Sequence, residues 1–203
     1  MLKNSNINIL ICGVGGQGIL LASEIITAVF VTSGYDVKSS CAHGMAQRGG
    51  PVISHIRIGK KIYSPVISEK QADILIGMEL LETSRALNYI KKNGLIILFD
   101  RRILSEIDTT GKNGFAGDLK NRIKKKHKRV LEISRNEMAN GLKNIKAVNM
   151  FMLGVLSDHF PVKKECWSRI IAKEVPPKTR DLNLTAFELG RARSRDNKNR
   201  LYL

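Results

Sequence analysis

Cysteine is scarce: Cys12, Cys41 and Cys166 are the three in 203 residues. They are odd in number and far apart, whereas zinc and iron–sulfur sites draw on closely spaced pairs and four ligands in all. An all-cysteine cluster held by this chain alone is therefore excluded. The thiols read as free residues of the core or its margin, and no metal site is expected. Long apolar runs are missing too. Nothing reaches the roughly 18 uninterrupted residues of a membrane span, and the most apolar stretch, Ile19 to Val31, contains Ser23, Glu24 and Thr27. The N-terminus passes from Met1-Leu2-Lys3-Asn4 directly into Ile7–Ile11, without the longer apolar region and cleavage site of a signal peptide. A cytoplasmic protein with no membrane attachment is expected. Aromatic residues make up only 5%. No zinc-finger spacing or aromatic RNA-binding signature appears, which argues against a nucleic-acid partner.

What is present in excess is positive charge. The net charge is +16, split as +3 over residues 1–110 and +13 over residues 111–203. Such a surface attracts anionic coenzymes, acidic proteins or nucleic acid, and it is also what a solvated lysine-rich helix face looks like. The apolar fraction of 43% and the length suit one domain with a full core.

The pattern along the chain is α/β. Ile7–Cys12 is a nearly continuous apolar run, as expected of a strand buried on both faces of a parallel sheet. Glycines follow, then a helix from Ile19 to Phe30 with Ile19, Ala22, Ile25, Ile26 and Val29 on one face. A second strand is expected over Asp36–Cys41. A third, Val52–Ile58, should turn at Gly59-Lys60-Lys61 into Ile62-Tyr63 as a hairpin. Ala72–Gly77 and Leu95–Phe99 read as core strands, separated by a helix over Glu79–Tyr89 that ends at Asn93-Gly94. Asp118–Lys128 reads as a basic helix and Val130–Ile133 as a last strand. Ala147–Phe160 and Lys163–Lys173 resemble a helical hairpin, and a final helix runs from Leu182 to Arg193. The expected fold is a three-layer α/β/α, Rossmann-like domain over residues 1–190. Its sheet is mostly parallel with an antiparallel hairpin near residues 52–63, and a basic tail follows over 191–203.

Two loops carry the candidate chemistry. Gly13, Gly15 and Gly18, with Gly16 and Gln17 between them, spell G-x-G-x-x-G between a strand and a helix. Glycines let a ligand approach the backbone, and the helix start offers free N–H groups and a positive dipole end. Three readings stay open: an anion or coenzyme contact, a tight turn against a partner, or a dinucleotide site. The last wants an acid at the end of the second strand, where Ser39-Ser40-Cys41 stand instead. The second loop, His43 to Pro51, holds His43, Gln47 and Arg48 as donors, with Gly44, Gly49 and Gly50 giving freedom. Following strand two, it should open on the same sheet edge as the glycine loop. Arg48 suits a phosphate or carboxylate. The same side chains would equally serve the loop itself or another subunit. His55 reads as a satisfied strand histidine, and Glu79 and Glu82, neighbours on one helix turn, as surface carboxylates.

These residues resemble a family. Gly13-Val14-Gly15-Gly16-Gln17-Gly18 after a first strand is similar to the opening of the gamma-type domain of 2-oxoacid:ferredoxin oxidoreductases. Ala42 to Val52 resembles the indolepyruvate version of its second loop. Ser64-Pro65, Ala72–Gly77, Asn149-Met150, Leu153-Gly154, Asn183 and Ala186–Gly190 fit as well. The resemblance runs from residue 7 to about 190 and is weakest over 101–146. It implies a subunit without catalytic residues, in a hetero-oligomer that oxidatively decarboxylates an aryl 2-oxoacid such as indolepyruvate, with coenzyme A as co-substrate, and passes electrons to ferredoxin. Thiamine diphosphate, Mg²⁺ and iron–sulfur clusters are then expected on a larger partner subunit and none on this chain. Gly13, Gly15, Gly16, Gln17, Gly18, His43, Gln47, Arg48 and Gly49 become the candidate cofactor-contacting set. The partner should cover an apolar patch. A stand-alone nucleotide-binding protein and a basic nucleic-acid-binding module are the alternatives.

Overall fold

A computed structural model of the chain describes residues 6–44, 49–101, 103, 114–141 and 147–195. Among these residues six strands form one sheet: β1 (Ile7–Val14), β2 (Asp36–His43), β3 (Pro51–Gly59), β4 (Ala72–Gly77), β5 (Ile90–Phe99) and β6 (Val130–Ile133). The spatial order is β2-β3-β1-β4-β5-β6. The pairs β1/β4, β4/β5 and β5/β6 are parallel, and β3 runs antiparallel to both β1 and β2. The mostly parallel α/β fold is as expected, but the antiparallel hairpin lies elsewhere. Val52–Ile58 does not fold back through Ile62-Tyr63, which form no strand. It pairs instead with the preceding strand, from Asp36↔Gly59 to His43↔Val52. The 52–58 segment has two apolar neighbours to choose from, and a short 62–63 pair offers far less backbone pairing than eight-residue β2.

Period-two patterning assigns the two faces of the sheet. Ile9, Ile11, Ile74, Ile76, Ile97 and Phe99 join one core, under α1 (Ile19–Thr32). On that side lie also α5 (Val148–Ser157), α6 (Lys164–Glu174) and α7 (Arg180–Arg195). Leu10, Cys12, Leu75, Ile96 and Leu98 face the other way, under α2 (Leu80–Ala86) and α3 (Gly114–Lys126). The few aromatic residues are concentrated in the first core. Phe30 packs edge-on against Phe160 at 4.9 Å and Trp167 at 6.1 Å between ring centroids, and Trp167 stacks on Phe187 at 6.0 Å.

Other boundaries shift for physical reasons. β5 begins at Ile90, so Lys91–Gly94 belong to the strand, and its register against β4 slips between Ala72 and Ile74. A short helix unforeseen in the sequence, α4 (Arg135–Gly141), follows β6. It opens on a reciprocal cap in which Ser134 N donates to Glu137 Oε2 and Glu137 N to Ser134 Oγ. α7 carries on through Arg195, where Arg195 Nε reaches Asp158 Oδ1 at 3.3 Å and Arg193 Nε reaches Glu137 Oε1 at 2.6 Å. The first five residues of the expected tail are thus helical, and the three arginines among them, Arg191, Arg193 and Arg195, are ion-paired.

Helix α5 pairs with α7 rather than with α6 as a simple hairpin. The contact is a close backbone approach: a Cβ built on Gly154 would strike Phe187 O, and one built on Gly190 would strike Phe151 O.

Candidate functional site

The glycine loop leaves the carboxyl end of β1 at the centre of the sheet. Gly16 (φ 96°) and Gly18 (φ 72°) take left-handed conformations that cost a side chain roughly 1–2 kcal/mol. Gly18 is the N-cap of α1 and offers no side-chain cap. Ala22 N donates to Gly18 O, so the N–H groups of Ile19, Leu20 and Leu21 precede the first intrahelical bond.

Gln17 was a candidate ligand contact, and its carboxamide is occupied within the fold. It is 9% exposed, its Oε1 accepts from Val14 N at 2.7 Å, and its Nε2 donates to Met78 O at 2.8 Å. Met78 N donates in turn to Cys12 O. Gln17 thereby ties the loop across the ends of β1 and β4. Gly13 makes room for this latch, since a Cβ there would lie 2.8 Å from Met78 Cβ. Asn149, at the start of α5, holds the other side. Its Nδ2 donates to Gly18 O at 3.3 Å, and it is buried. Sequence reasoning gave Asn149 no role at the site; its signals were a polar residue beside the apolar run Met150–Leu156 and the resemblance carried by the Asn149-Met150 pair.

The second loop is brought against the first. Val14 is in register with Pro51, Gly15 N donates to Gly50 O at 2.9 Å, and Gly49 N donates to Gly15 O at 3.4 Å. The two loops therefore share one edge, as expected, and they are joined directly through backbone. Gly49 has φ 78°. His43 ends β2, while its side chain, Gln47 and Arg48 lie outside the described residues.

The dinucleotide reading loses its geometry. In that arrangement the second strand lies beside the first, so that its end can carry a ribose-binding acid. Here β3 intervenes between β1 and β2.

Below the second loop lies an open cavity of about 350 Å³ between the hairpin and α2, lined by Cys12, Ala42, Pro51, Val52, Ile53, Arg85 and Tyr89 among others. Burial pushes the Cys12 thiol up to about 12, so it is no nucleophile near neutral pH. Glu79 corrects another expectation. It is not a surface carboxylate but 1% exposed. Its Oε2 caps α2 by accepting from Glu82 N at 2.8 Å, and its Oε1 accepts from Ile103 N at 3.2 Å. Burial pushes its carboxyl upward, against these backbone hydrogen bonds. His55 is held as a strand histidine should be: its Nδ1 accepts from Ile67 N at 3.2 Å, with Tyr89 edge-on at 5.6 Å. Among the described residues, large apolar side chains are exposed in two places, Tyr63 and Val66 in one loop, and Leu20 and Val31 on α1.

Among the described residues no three His, Cys, Asp or Glu side chains gather as metal ligands, and no helix is long and apolar enough to cross a membrane. What the edge offers is backbone: glycine turns and a helix start, braced by buried amides. It can receive an anionic or planar group but supplies no described acid, base or nucleophile positioned to act on one.

Comparison with known proteins gives this geometry a context. The family model described as pyruvate ferredoxin/flavodoxin oxidoreductase matches residues 8–193. Indolepyruvate oxidoreductase subunit IorB of Thermococcus kodakarensis is 35% identical over 199 residues, covering 90% of this chain and 93% of that one. The keto/oxoacid ferredoxin oxidoreductase gamma subunit of Geobacter sulfurreducens has the same fold, with a TM-score of 0.66, 19% identity and coverage of 94% and 99%. The 2-oxoglutarate:ferredoxin oxidoreductase of Magnetococcus marinus, solved with 2-oxoglutarate, coenzyme A and succinyl-CoA bound, aligns with a TM-score of 0.71 and 19% identity. That alignment spans 98% of this chain and 33% of the longer one.

Proposed function

Since the chain belongs to the pyruvate ferredoxin/flavodoxin oxidoreductase family, as a non-catalytic subunit of a 2-oxoacid:ferredoxin oxidoreductase, we propose that it serves an enzyme of the indolepyruvate type. The reaction is the oxidative decarboxylation of an aryl 2-oxoacid anion with coenzyme A to the acyl-CoA, CO₂, a proton and two electrons, the electrons delivered to ferredoxin. A larger partner subunit supplies thiamine diphosphate, Mg²⁺ and the iron–sulfur clusters in a cytoplasmic hetero-oligomer. This chain supplies position and electrostatics.

The observation that carries the reading is the fusion of the two loops at one sheet edge, through Gly15 and Gly50. In this role Gly15, Gly16, Gly18 and Gly49 let the coenzyme or the partner's backbone approach, while Gly13 leaves room for the Gln17 latch beneath. Gln17 acts from beneath by fixing the loop. His43, Gln47 and Arg48 are the second loop's candidate donors to the anionic coenzyme. The strongly basic balance of the chain favours both coenzyme and acceptor. That the Magnetococcus marinus enzyme binds coenzyme A supports the co-substrate.

Co-expression with a thiamine-diphosphate-binding large subunit tests the assembly. The two should co-purify as a defined complex on size exclusion in ~0.2 M salt. Elution of this chain alone, with the large subunit folded and separate, would remove the subunit assignment.

A further inference from the structure

A second concavity lies at the opposite edge of the sheet, where β4 and β5 begin. It is an open groove of about 640 Å³ whose walls include Lys70, Lys91, Lys92, Lys126 and His127. From this groove we infer that the amino-end edge docks a small acidic electron-carrier protein, the acceptor of the complex. The inference rests on the proposed function for the existence of such an acceptor, and goes beyond it in placing the dock on this subunit, away from the glycine-loop edge.

Three of the four lysines here are uncompensated among the described residues. Lys91 Nζ is engaged by Asp73 at 2.5 Å, and Asp73 also accepts from Asn8 N, so that pair belongs to the fold. Lys70, Lys92 and Lys126 are exposed, and among the described residues none of them makes an ion pair or a side-chain hydrogen bond. Elsewhere the same helix does neutralise its lysines: Lys120 bridges Asp100 and Glu132 at 2.7 and 3.1 Å, and Lys124 also pairs with Glu132. The carboxylates thus gather toward the carboxyl ends of β5 and β6, leaving the groove cationic. Burial and then Lys126 hold the His127 imidazole below its ordinary value, so the positive charge comes from lysine. Lys70 stands at φ 59°, an uncommon conformation for a long side chain, fixed by the bond from its N–H to Asn88 O at 2.9 Å.

The chemistry of the walls selects the class of partner. Lysines on hydrated, flexible stems attract at a distance but do not form the planar fork that grips a phosphate or carboxylate. No Phe, Tyr or Trp lines the groove, and the His127 imidazole is only partly exposed, so single-stranded nucleic acid would find little stacking surface. An extended acidic protein face, held by salt-sensitive complementarity and quick to leave, is the occupant these features fit. The groove contains no redox group. Its part is to bind, and electrons pass from the partner subunit's clusters.

The test uses the assembled complex carrying Lys70→Glu, Lys92→Glu and Lys126→Glu together, with a low-potential [4Fe–4S] ferredoxin and, separately, methyl viologen as acceptor. The KM for ferredoxin should rise at least tenfold at low ionic strength and lose most of its salt dependence, with viologen turnover within twofold of wild type. Unchanged ferredoxin KM with intact viologen turnover would overturn the dock and leave the proposed function standing. If even the wild-type complex reduces no dye, the proposed function has failed. Direct ferredoxin binding to the full-length chain then judges the groove by itself, and binding that the triple variant does not weaken overturns it. A fluorescent single-stranded oligonucleotide is the remaining probe. Binding to wild type at ~0.1 M salt, abolished in the variant, would assign the groove to nucleic acid and reject the acidic protein.

Discussion

Gly154 of α5 and Gly190 of α7 pack against one another's helix so closely that a methyl group on either would enter the opposing backbone. The first core depends on this contact, because α7 carries Phe187 into the aromatic cluster around Trp167. Backbone cannot yield as a flexible side chain can. Gly154→Ala and Gly190→Ala should each cost about 1–3 kcal/mol, lowering the melting temperature by several degrees. Gly16→Ala should cost about 1–2 kcal/mol through its left-handed φ alone, since open space surrounds it. Thermal melts of the three variants would separate the two mechanisms, and equal losses with unchanged helix packing would contradict the close-approach reading.

Gln17 supports the loop from within. Gln17→Ala leaves Val14 N and Met78 O without the partners they now have. An orphaned buried polar group costs about 1–3 kcal/mol, so a clear drop in the urea midpoint is expected. Gln17→Glu keeps the acceptor and removes the donor, and should fall between the two. If both variants are as stable as wild type, the amide is not the latch, and a direct ligand role would have to be considered.

The loops and the core differed in how far the sequence disclosed them. Strand β5 follows from the uninterrupted apolar run Leu95–Phe99, and β1 and β4 from runs broken only by Asn8 and Asp73, which favour strands buried on both faces. The place of β3 between β1 and β2 does not follow, because pairing partners depend on long-range register and the alternating segment fits either neighbour. Glu79 looked exposed since a carboxylate is rarely buried; its position just ahead of Leu80-Leu81 was the available hint of an N-cap. Helix α4 is too short for periodicity, yet Ser134 and Glu137 spell a capping box. At the site, the meeting of the two glycine loops was readable from their positions after strands one and two. The roles of Gln17 and Asn149 were not, because both depend on contacts across the sheet edge.

Acidification should weaken the fold in two stages. Burial holds His55 below its ordinary 6.5, and His127 is depressed as well. The unfolded chain therefore takes up protons near pH 6.5 while the folded chain does not. Stability present above that pH declines as pH falls below it. Glu132, paired with Lys124 and Lys120, and Glu137, bonded to Ser134 and Arg193, lie below the ordinary 4.5. Their contribution is lost below that value. Urea midpoints at pH 7.5, 5.5 and 4 should fall stepwise, and His55→Gln should flatten the first step. A first step of undiminished size in that variant would assign it to other groups.

Arg48 is the cation of the second loop nearest in sequence to Gly49 and Gly50. In the assembled enzyme Arg48→Ala should raise the KM for coenzyme A by about tenfold or more, the scale of one charge-assisted hydrogen bond of 1.5–3 kcal/mol, with little change in the KM for the 2-oxoacid. A change confined to the 2-oxoacid would move Arg48 to the substrate side.

The most direct measurement is reconstitution of activity. This chain and a thiamine-diphosphate subunit, each alone and then together, would be assayed for viologen reduction dependent on both indolepyruvate and coenzyme A. The expected result is turnover only with both chains and both substrates present. A large subunit equally active by itself, or a complex inert toward every aryl 2-oxoacid offered, would contradict the role assigned to this protein.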